Sequence, residues 1–182
     1  MSRPVVNNQE PILVLYELER RSRGHAFGLP QQAEAKEAWH GIGFRLGDIN
    51  FVAPLGQVRE ILVSPVISRV PGAKEWVTGI ANVRGTLLPV LDLKGFLQQN
   101  MGPRSRPRTL VVEHGSVSAA LLVDDVTGLK HFFDEDRSDA LPNLPAKVLA
   151  YIAGSFVQGG QQWAIFDMHR LVLDPEFMQV AA

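Results

Sequence analysis

The sequence predicts an all-β fold in which two small barrels follow a helical N-terminal extension. Two observations support this prediction. From Gly41 onward, short apolar runs alternate with turns that contain Gly or Pro, a pattern typical of sandwiches and barrels. In addition, part of this pattern occurs twice along the chain. We therefore expect a helical extension over residues 1–40 and a double-barrel domain over residues 41–182.

The composition is that of an ordinary globular protein. The 182 residues include 18 Lys and Arg and 19 Asp and Glu, which gives a formal net charge of -1. This balance provides no general attraction to nucleic acid or to an anionic membrane. The chain has no cysteine, so disulfides and thiolate chemistry are excluded. No apolar run approaches the roughly 18 residues that span a bilayer. We expect a cytoplasmic protein without direct membrane insertion and without a nucleic-acid partner.

The first forty residues show a helical pattern. Pro11 suits a first helical turn, and the apolar residues within 12–18 fall at helical spacing. Gly24 is placed to end that helix, and a second short helix is predicted over residues 31–38, which are rich in Ala, Glu and Gln. The sequence leaves open whether this extension packs on the body of the protein or binds a partner.

The remainder is predicted to consist mainly of strands. Gly47 and Asp48 separate two apolar segments and predict a tight hairpin. Further strands are predicted over residues 58–63, 76–83, 86–91, 109–113, 117–123, 151–157 and 162–166. Short helices are predicted over residues 92–97, 167–173 and 175–180. Residues 101–108, with three Arg, two Pro and no acid, are predicted to form a connector.

The second half of the chain repeats the first. W-V-T-G at residues 76–79 matches Y-I-A-G at residues 151–154 in its aromatic, small and Gly positions. With a slightly shorter offset, the turn residue Gly47 matches Gly115. Each copy has about the size that closes into a five-stranded barrel, and the predicted connector separates the two copies.

The two copies also share the end of their last strand. L-D-L at residues 91–93 matches F-D-M at residues 166–168 with the offset of the preceding match. In each copy a buried strand leads to an Asp, and a helical stretch follows. Asp is a preferred residue at the N-cap of a helix, where its carboxylate accepts hydrogen bonds from backbone N–H groups. We therefore expect Asp92 and Asp167 to cap short helices.

The sequence lacks the common catalytic and cofactor motifs. It contains no H-E-x-x-H, G-x-S-x-G, G-x-x-x-x-G-K-[ST] or G-x-G-x-x-G segment. Asp124 and Asp125 are neighbours and should point in opposite directions, so a shared catalytic site is not expected. We predict no catalytic residue, no metal and no cofactor. The alternative is an enzyme that uses Asp167 and His169 or an unrecognised metal.

Residues 76–93 form the most specific segment. Asn82 and Gly85, in N-V-R-G between two apolar strands, tolerate the left-handed conformations that a tight turn requires. Arg84 is permanently charged and needs a carboxylate or carbonyl partner, for which Glu60 is a candidate. Two interpretations remain open. Arg84 either orients the turn through an internal ion pair or binds a partner protein.

This segment resembles the signature of the CheW family, the adaptors of bacterial chemosensory arrays. The shared pattern G-x-x-N-[LV]-R-G-x-x-x-P-[IV]-x-D-L runs over residues 79–93, and V-x-E-I at residues 58–61 is similar to a further element. The resemblance covers roughly residues 41–173 and implies two SH3-like barrels around a shared core. With its N-terminal extension, the chain is most similar to the adaptors of the type IV pilus chemosensory system, which governs twitching motility.

The resemblance implies a non-enzymatic adaptor that couples chemoreceptors to a histidine kinase in membrane-associated arrays. It implies that the kinase regulatory domain contacts the first barrel, and that the helical tip of the receptor lies in an apolar groove between the barrels. The predicted partner-binding residues are Val58, Glu60, Gly79, Asn82, Arg84 and Gly85. The first three are implied to lie near the kinase, and Arg84 near the receptor-facing side. A competitor or array-filling protein of the same fold is the alternative.

Overall fold

The computed structural model describes Tyr16, Glu19, Arg20 and residues 38–63, 65–98 and 106–179. The chain divides into two compact units, Met1–Lys36 and Glu37–Ala182. Tyr16, Glu19 and Arg20 are helical and exposed, within the span of the first predicted helix. The rest of that helix, residues 31–37 of the second and residues 101–105 of the predicted connector lie outside the described residues.

The described part of the second unit contains twelve strands and four short helices. The strands are β1 (Trp39–Leu46), β2 (Ile49–Pro54), β3 (Val58–Leu62), β4 (Ile67–Ser68), β5 (Val77–Val83), β6 (Thr86–Asp92), β7 (Arg108–His114), β8 (Val117–Val123), β9 (Asp125–Phe132), β10 (Arg137–Ser138), β11 (Ile152–Gln158) and β12 (Gln161–Phe166). The helices are α1 (Leu93–Phe96), α2 (Ala146–Leu149), α3 (Met168–Val172) and α4 (Pro175–Met178). The seven strands predicted from residue 58 onward are present, whereas β4, β9, β10 and α2 were not predicted.

The strands form two six-stranded sheets. Sheet A has the order β10-β11-β12-β2-β1-β9, and sheet B has the order β3-β7-β8-β6-β5-β4. In each sheet the two end strands follow one another in the chain, β9 before β10 and β3 before β4. Each sheet therefore curves back on itself like a barrel, with five longer strands and one strand of two residues. The predicted all-β double-barrel class is confirmed.

The hairpins of the two copies are exchanged between the sheets. Hairpin β1–β2 pairs with β9 and β12 of the second copy, and hairpin β7–β8 pairs with β3 and β6 of the first. Neither copy thus closes a barrel by itself, contrary to the simplest interpretation of the repeat. The connections explain this result. Only the 3₁₀ turn Leu55–Gln57 separates β2 from β3, and only Asp124 separates β8 from β9, so the chain passes directly from one sheet into the other.

The sequence repeat is also a structural repeat. Gly47 and Gly115 lie in the turns of the two exchanged hairpins, at φ angles of 59° and 61°. Asp92 and Asp167 cap α1 and α3, and each carboxylate accepts hydrogen bonds from the N–H groups two and three residues later. The two predicted caps are confirmed, and they begin their helices at equivalent points of the fold.

The apolar core has three parts. The largest cluster draws residues from both sheets, including the fully buried Phe44, Leu110 and Phe166, and forms the predicted shared core. A second cluster lies within sheet A and consists of Val52, Phe132, Phe156, Trp163 and Ile165. A third lies within sheet B and consists of Ala81, Val83, Leu88, Val90, Val111 and Ala120. The sheet A cluster is rich in aromatic rings, whereas the sheet B cluster contains only aliphatic side chains.

Candidate functional site

The turn between β5 and β6 holds two residues with positive φ. Val83 pairs with Thr86, so the turn contains only Arg84 at φ 50° and Gly85 at φ 88°. Positive φ at both central residues is characteristic of a type I′ turn. The side-chain Oδ1 of Asn82 accepts a hydrogen bond from the N–H of Gly85 at 2.8 Å. The left-handed conformation predicted at Gly85 is present, whereas Asn82 lies within β5 and the second left-handed residue is Arg84. Asn82 instead supports the turn through its side-chain hydrogen bond to Gly85.

Arg84 forms an ion pair with Glu60. Its Nη2 lies 2.7 Å from Oε1 of Glu60, and the two side chains are 80% and 21% exposed. A left-handed conformation costs a residue with a Cβ about 1 kcal/mol. An exposed ion pair contributes about 0–1 kcal/mol, so this pair at most offsets the strain. The arrangement orients the guanidinium without a clear gain in stability, which favours a role in binding.

Arg84 and Glu60 lie at the rim of a cavity in sheet B of about 110 Å³. We call this cavity the sheet B mouth. Its floor is formed by three buried side chains, those of Val83, Leu88 and Val111. Its rim is formed by Arg59, Glu60, Arg84, Thr86 and Ser118. Arg59 forms a second ion pair, with Glu113. The mouth thus combines an apolar floor with a rim of charged and hydroxyl side chains.

Val58 and Gly79 do not line this mouth. Val58 begins β3, two residues before Glu60, and packs against the shared core. Gly79 is buried in β5, and a Cβ atom at this position would lie 2.2 Å from the carbonyl oxygen of Ser68 on β4. Gly79 therefore permits the close approach of β4 to β5. The structure brings Glu60, Asn82, Arg84 and Gly85 together and leaves Gly79 at the adjacent edge of the sheet.

A second cavity, of about 430 Å³, opens at the edge of the shared core. It is lined by Pro89, Leu91, Ser116, Val117, Ser118, Ala119, Phe177 and Met178. Leu91, Ala119 and Phe177 belong to the core cluster that both sheets share. The cavity is therefore a largely apolar cleft between the β6–β8 strand pair and α4. The resemblance implied an apolar groove between the barrels, but the lining of neither cavity could be assigned from the sequence, because the walls come from segments that are distant in the chain.

The carboxylates considered for chemistry have structural partners. Asp124 accepts hydrogen bonds from Lys94 at 3.0 Å and from the N–H of Gly47 at 2.6 Å, whereas Asp125 pairs with Arg45 at 3.7 Å. The two neighbouring carboxylates thus face different groups, as their positions predict. Among the residues that the structure describes, no three His, Asp or Glu side chains come together in a group that could hold a metal ion.

The candidate pair Asp167 and His169 is engaged in a similar way. Asp167 caps α3 and also accepts a hydrogen bond from the side-chain amide of Gln57 at 3.1 Å. The ring of His169 packs against that of His114, with 4.1 Å between the ring centroids. The sequence did not indicate this contact, because the two histidines lie on β7 and α3, which are distant in the chain.

Within the described ranges, no helix is long and apolar enough to cross a membrane.

Comparison with known proteins places this geometry in a family. The sequence profile of the CheW-like domain matches residues 40–176, which include both sheets and the Arg84 turn. The chain belongs to the CheW-like family. Its members are scaffold adaptors of chemosensory signalling, and the membership predicted from residues 58–61 and 79–93 is confirmed.

Several CheW-like proteins resemble the chain over different lengths. Protein PilI of Pseudomonas aeruginosa is 46% identical over 174 residues, which cover 95% of this chain and 97% of that protein. Chemotaxis protein CheW of Klebsiella aerogenes is 22% identical over 138 residues, or 75% of this chain and 83% of that protein. The similarity to PilI includes most of the N-terminal extension. The predicted resemblance to the adaptors of the type IV pilus chemosensory system is therefore confirmed.

A solved structure shares the fold. The crystal structure of the scaffolding protein TtCheW from Thermoanaerobacter tengcongensis superposes with a TM-score of 0.66 at 22% sequence identity. The superposition covers 77% of this chain and 96% of TtCheW. The CheW-like double barrel is therefore common to both proteins.

Proposed function

We propose that this chain is a non-enzymatic, cytoplasmic adaptor that couples chemoreceptors to a histidine kinase in the array that controls type IV pilus twitching motility. Membership of the CheW-like family and similarity to PilI over 95% of the chain support this proposal. The structural observation that supports it best is Arg84, an exposed cation in a left-handed turn beside a cavity with an apolar floor. No catalytic role is proposed for any residue.

Two surfaces serve the two partners in this proposal. The regulatory domain of the kinase contacts sheet B near Val58, Glu60 and Gly79. The helical tip of the receptor occupies the apolar cleft beside α4, where apolar contacts supply affinity and nearby charges set the register. Asn82, Arg84 and Gly85 form the turn on the receptor-facing side. Because Arg84 contacts Glu60, the two contacts adjoin, and substitution of Arg84 should weaken both.

Co-sedimentation tests the bridging function. Membranes that contain the receptor are incubated with the kinase, with and without this chain, and the kinase in the pellet is measured. We expect recruitment with the wild-type chain and reduced recruitment with Arg84→Glu. Arg170→Glu is the matched control, because Arg170 is an exposed arginine that pairs with Asp167 on α3. Equal recruitment of the kinase without the chain would show that it is not a bridge.

Two further measurements address the alternatives. Titration of the chain into a reconstituted array should activate the kinase at low dose if the chain is a bridge. A competitor or array-filling protein would only inhibit it. Metal analysis of the purified wild-type chain and of His169→Ala tests the enzymatic alternative. Stoichiometric metal that is lost in the variant would support a metal site at His169.

A further inference from the structure

The two sheets are equivalent in strand order but differ in how their interiors are filled. In sheet B, the cross-strand pair two residues before the β5–β6 turn is Ala81 with Leu88. In sheet A, the equivalent pair before the β11–β12 turn is Phe156 with Trp163. At each of these positions, the side chain in sheet B is much smaller than its counterpart in sheet A.

In sheet A, aromatic rings fill this position. Trp163 is 3% exposed, and the Nζ of Lys130 lies 4.7 Å from the centre of its ring. Phe132 stacks on Phe156 with 4.4 Å between centroids, and Trp39 packs 5.1 Å from Phe156. At this position, sheet A is therefore filled by its own side chains.

In sheet B, Leu88, the counterpart of Trp163, lies on the floor of the sheet B mouth, which the side chains of sheet B leave open. Its floor of Val83, Leu88 and Val111 is apolar, and its volume of about 110 Å³ can hold part of one large apolar side chain. Burial of such a side chain contributes about 1.5–3 kcal/mol, because apolar surface is removed from water. The difference between the two sheets indicates that an apolar group from outside can complete the interior of sheet B.

The hydrogen-bonding groups at the rim indicate which residue should accompany that group. Arg84 pairs with Glu60 and Arg59 pairs with Glu113, so the charges around the mouth are balanced. The guanidinium of Arg84 carries five N–H donors in a planar fork, and its contact with Glu60 uses one nitrogen. With 80% of its side chain exposed, Arg84 can donate hydrogen bonds to a second carboxylate, supplied by a partner.

We propose that the sheet B mouth receives one apolar side chain of leucine or phenylalanine size, carried by the regulatory domain of the kinase beside an acidic residue that pairs with Arg84. This inference rests on the proposed adaptor function and specifies the chemistry of its kinase contact. The apolar side chain packs on Val83, Leu88 and Val111. The acidic neighbour fixes the orientation of the partner.

The test fills the mouth from within. Leu88→Trp gives sheet B the side chain that Trp163 supplies to sheet A. We expect the variant to keep the circular dichroism spectrum of the wild type, while its affinity for the isolated kinase regulatory domain falls at least tenfold. Its affinity for receptor-containing membranes should remain within twofold. Leu129→Trp is the matched control, because Leu129 is a half-exposed leucine on β9 of sheet A, away from the mouth.

A second variant covers the case in which Leu88→Trp misfolds. Ser118→Leu obstructs the same mouth from its rim, and the same tenfold loss of kinase affinity is expected. Kinase affinity equal to that of the wild type in a folded, filled variant would overturn the proposal. Loss of receptor affinity alone would also overturn it, because the mouth would then belong to the receptor. If the wild-type chain binds neither the kinase nor the receptor, the proposed adaptor function is wrong.

Discussion

Lys94 and Asp124 form an ion pair of 3.0 Å whose two side chains are each only 10% exposed. Lys94 lies on α1, directly after β6 of sheet B. Asp124 lies at the corner between β8 and β9, and its carboxylate also accepts a hydrogen bond from the N–H of Gly47 at the tip of hairpin β1–β2. One buried carboxylate therefore ties the exchanged hairpin of sheet A to the helix that follows sheet B.

Replacement of Lys94 by Met should destabilise the fold. The substitution leaves the Asp124 carboxylate buried without this cation, and removal of one member of a buried pair costs about 3 kcal/mol. Urea denaturation measures the free energy of unfolding. The double variant Lys94→Met, Asp124→Leu should recover much of the loss, because no buried charge then remains at the pair. A single variant within about 0.5 kcal/mol of the wild type would contradict the prediction.

Two replacements of Arg84 should separate stability from binding. Arg84→Gly removes the strain of a left-handed residue with a Cβ, so the free energy of unfolding should stay constant or rise by about 0.5–1 kcal/mol. Arg84→Glu should leave the fold intact and weaken partner association more strongly, because it adds a like charge beside Glu60. Thermal denaturation and co-sedimentation measure the two effects. A large drop in melting temperature with Arg84→Gly would instead assign the Glu60 pair a structural role.

Gly85→Val should damage folding through the backbone alone. Gly85 has φ 88°, yet no atom lies within 4 Å of the position that a Cβ would take. The expected loss is about 1–3 kcal/mol, because a β-branched residue strongly disfavours positive φ. Circular dichroism during thermal denaturation measures the loss. Gly85→Asn is the control and should lose less, since Asn tolerates this conformation. Equal losses for the two variants would refute the backbone explanation.

Gly79→Ala should be far more harmful than Gly154→Ala, although the two glycines are equivalent in the repeat. A Cβ at Gly79 would lie 2.2 Å from a backbone oxygen of Ser68, which cannot move without displacing β4. At Gly154 the nearest atom would be Cδ1 of Ile165 at 3.5 Å, an ordinary contact. Hydrogen exchange should show increased opening of β4 in Gly79→Ala. Similar stability of the two variants would contradict this account.

Tyr151 and Asp174 should make stability depend on pH at both extremes. Burial and the 2.6 Å hydrogen bond from the Tyr151 hydroxyl to Asp174 raise the pKa of Tyr151 above its ordinary value. Burial alone would raise the pKa of Asp174. The hydrogen bonds from Tyr151 and from the N–H groups of Glu176 and Phe177, with the charge of Lys147, instead lower it below 3.8.

Each shifted pKa stabilises the fold over a limited range of pH. The lowered pKa of Asp174 stabilises the fold above about pH 4, and this contribution is lost as the pH falls. The raised pKa of Tyr151 stabilises the fold below about pH 10, and this contribution is lost as the pH rises. The difference in unfolding free energy between the wild type and Tyr151→Phe should therefore be largest near neutral pH and narrow toward both extremes. A difference that is constant from about pH 3 to pH 11 would contradict the prediction.

Local signals in the sequence predicted much of the fold. Gly47 and Gly115 marked hairpin turns, and Asp92 and Asp167 marked helix caps, because each signal depends on a few neighbouring residues. Strand β9 was missed because Gly128, at φ 91°, interrupts its apolar pattern at the edge of sheet A. Strands β4 and β10, with two residues each, are too short to produce a pattern.

The exchange of hairpins and the sheet B mouth could not be predicted in this way. The alternation of apolar residues in β1 and β2 is the same whether the hairpin joins its own copy or the other. The mouth has Leu88 on its floor where sheet A has the larger Trp163, and this difference in side-chain volume becomes visible only when the two sheets are compared. In contrast, the contact between Arg84 and Glu60 was a candidate from the sequence alone, because a permanently charged arginine needs a carboxylate or carbonyl partner.

The exchanged hairpins also constrain how the chain acquires its structure during synthesis. The side chain of Gln57 bonds to Asp167, 110 residues away, and β2 pairs with β12 across a similar separation. A nascent chain that ends before β12 therefore lacks the strand that pairs with β2. It can complete neither sheet A nor the shared core. Such a high contact order slows folding, because long loops must close before the contacts that stabilise them form. We expect the CheW-like unit to fold only after its last strand has left the ribosome, and neither half to be stable when expressed alone.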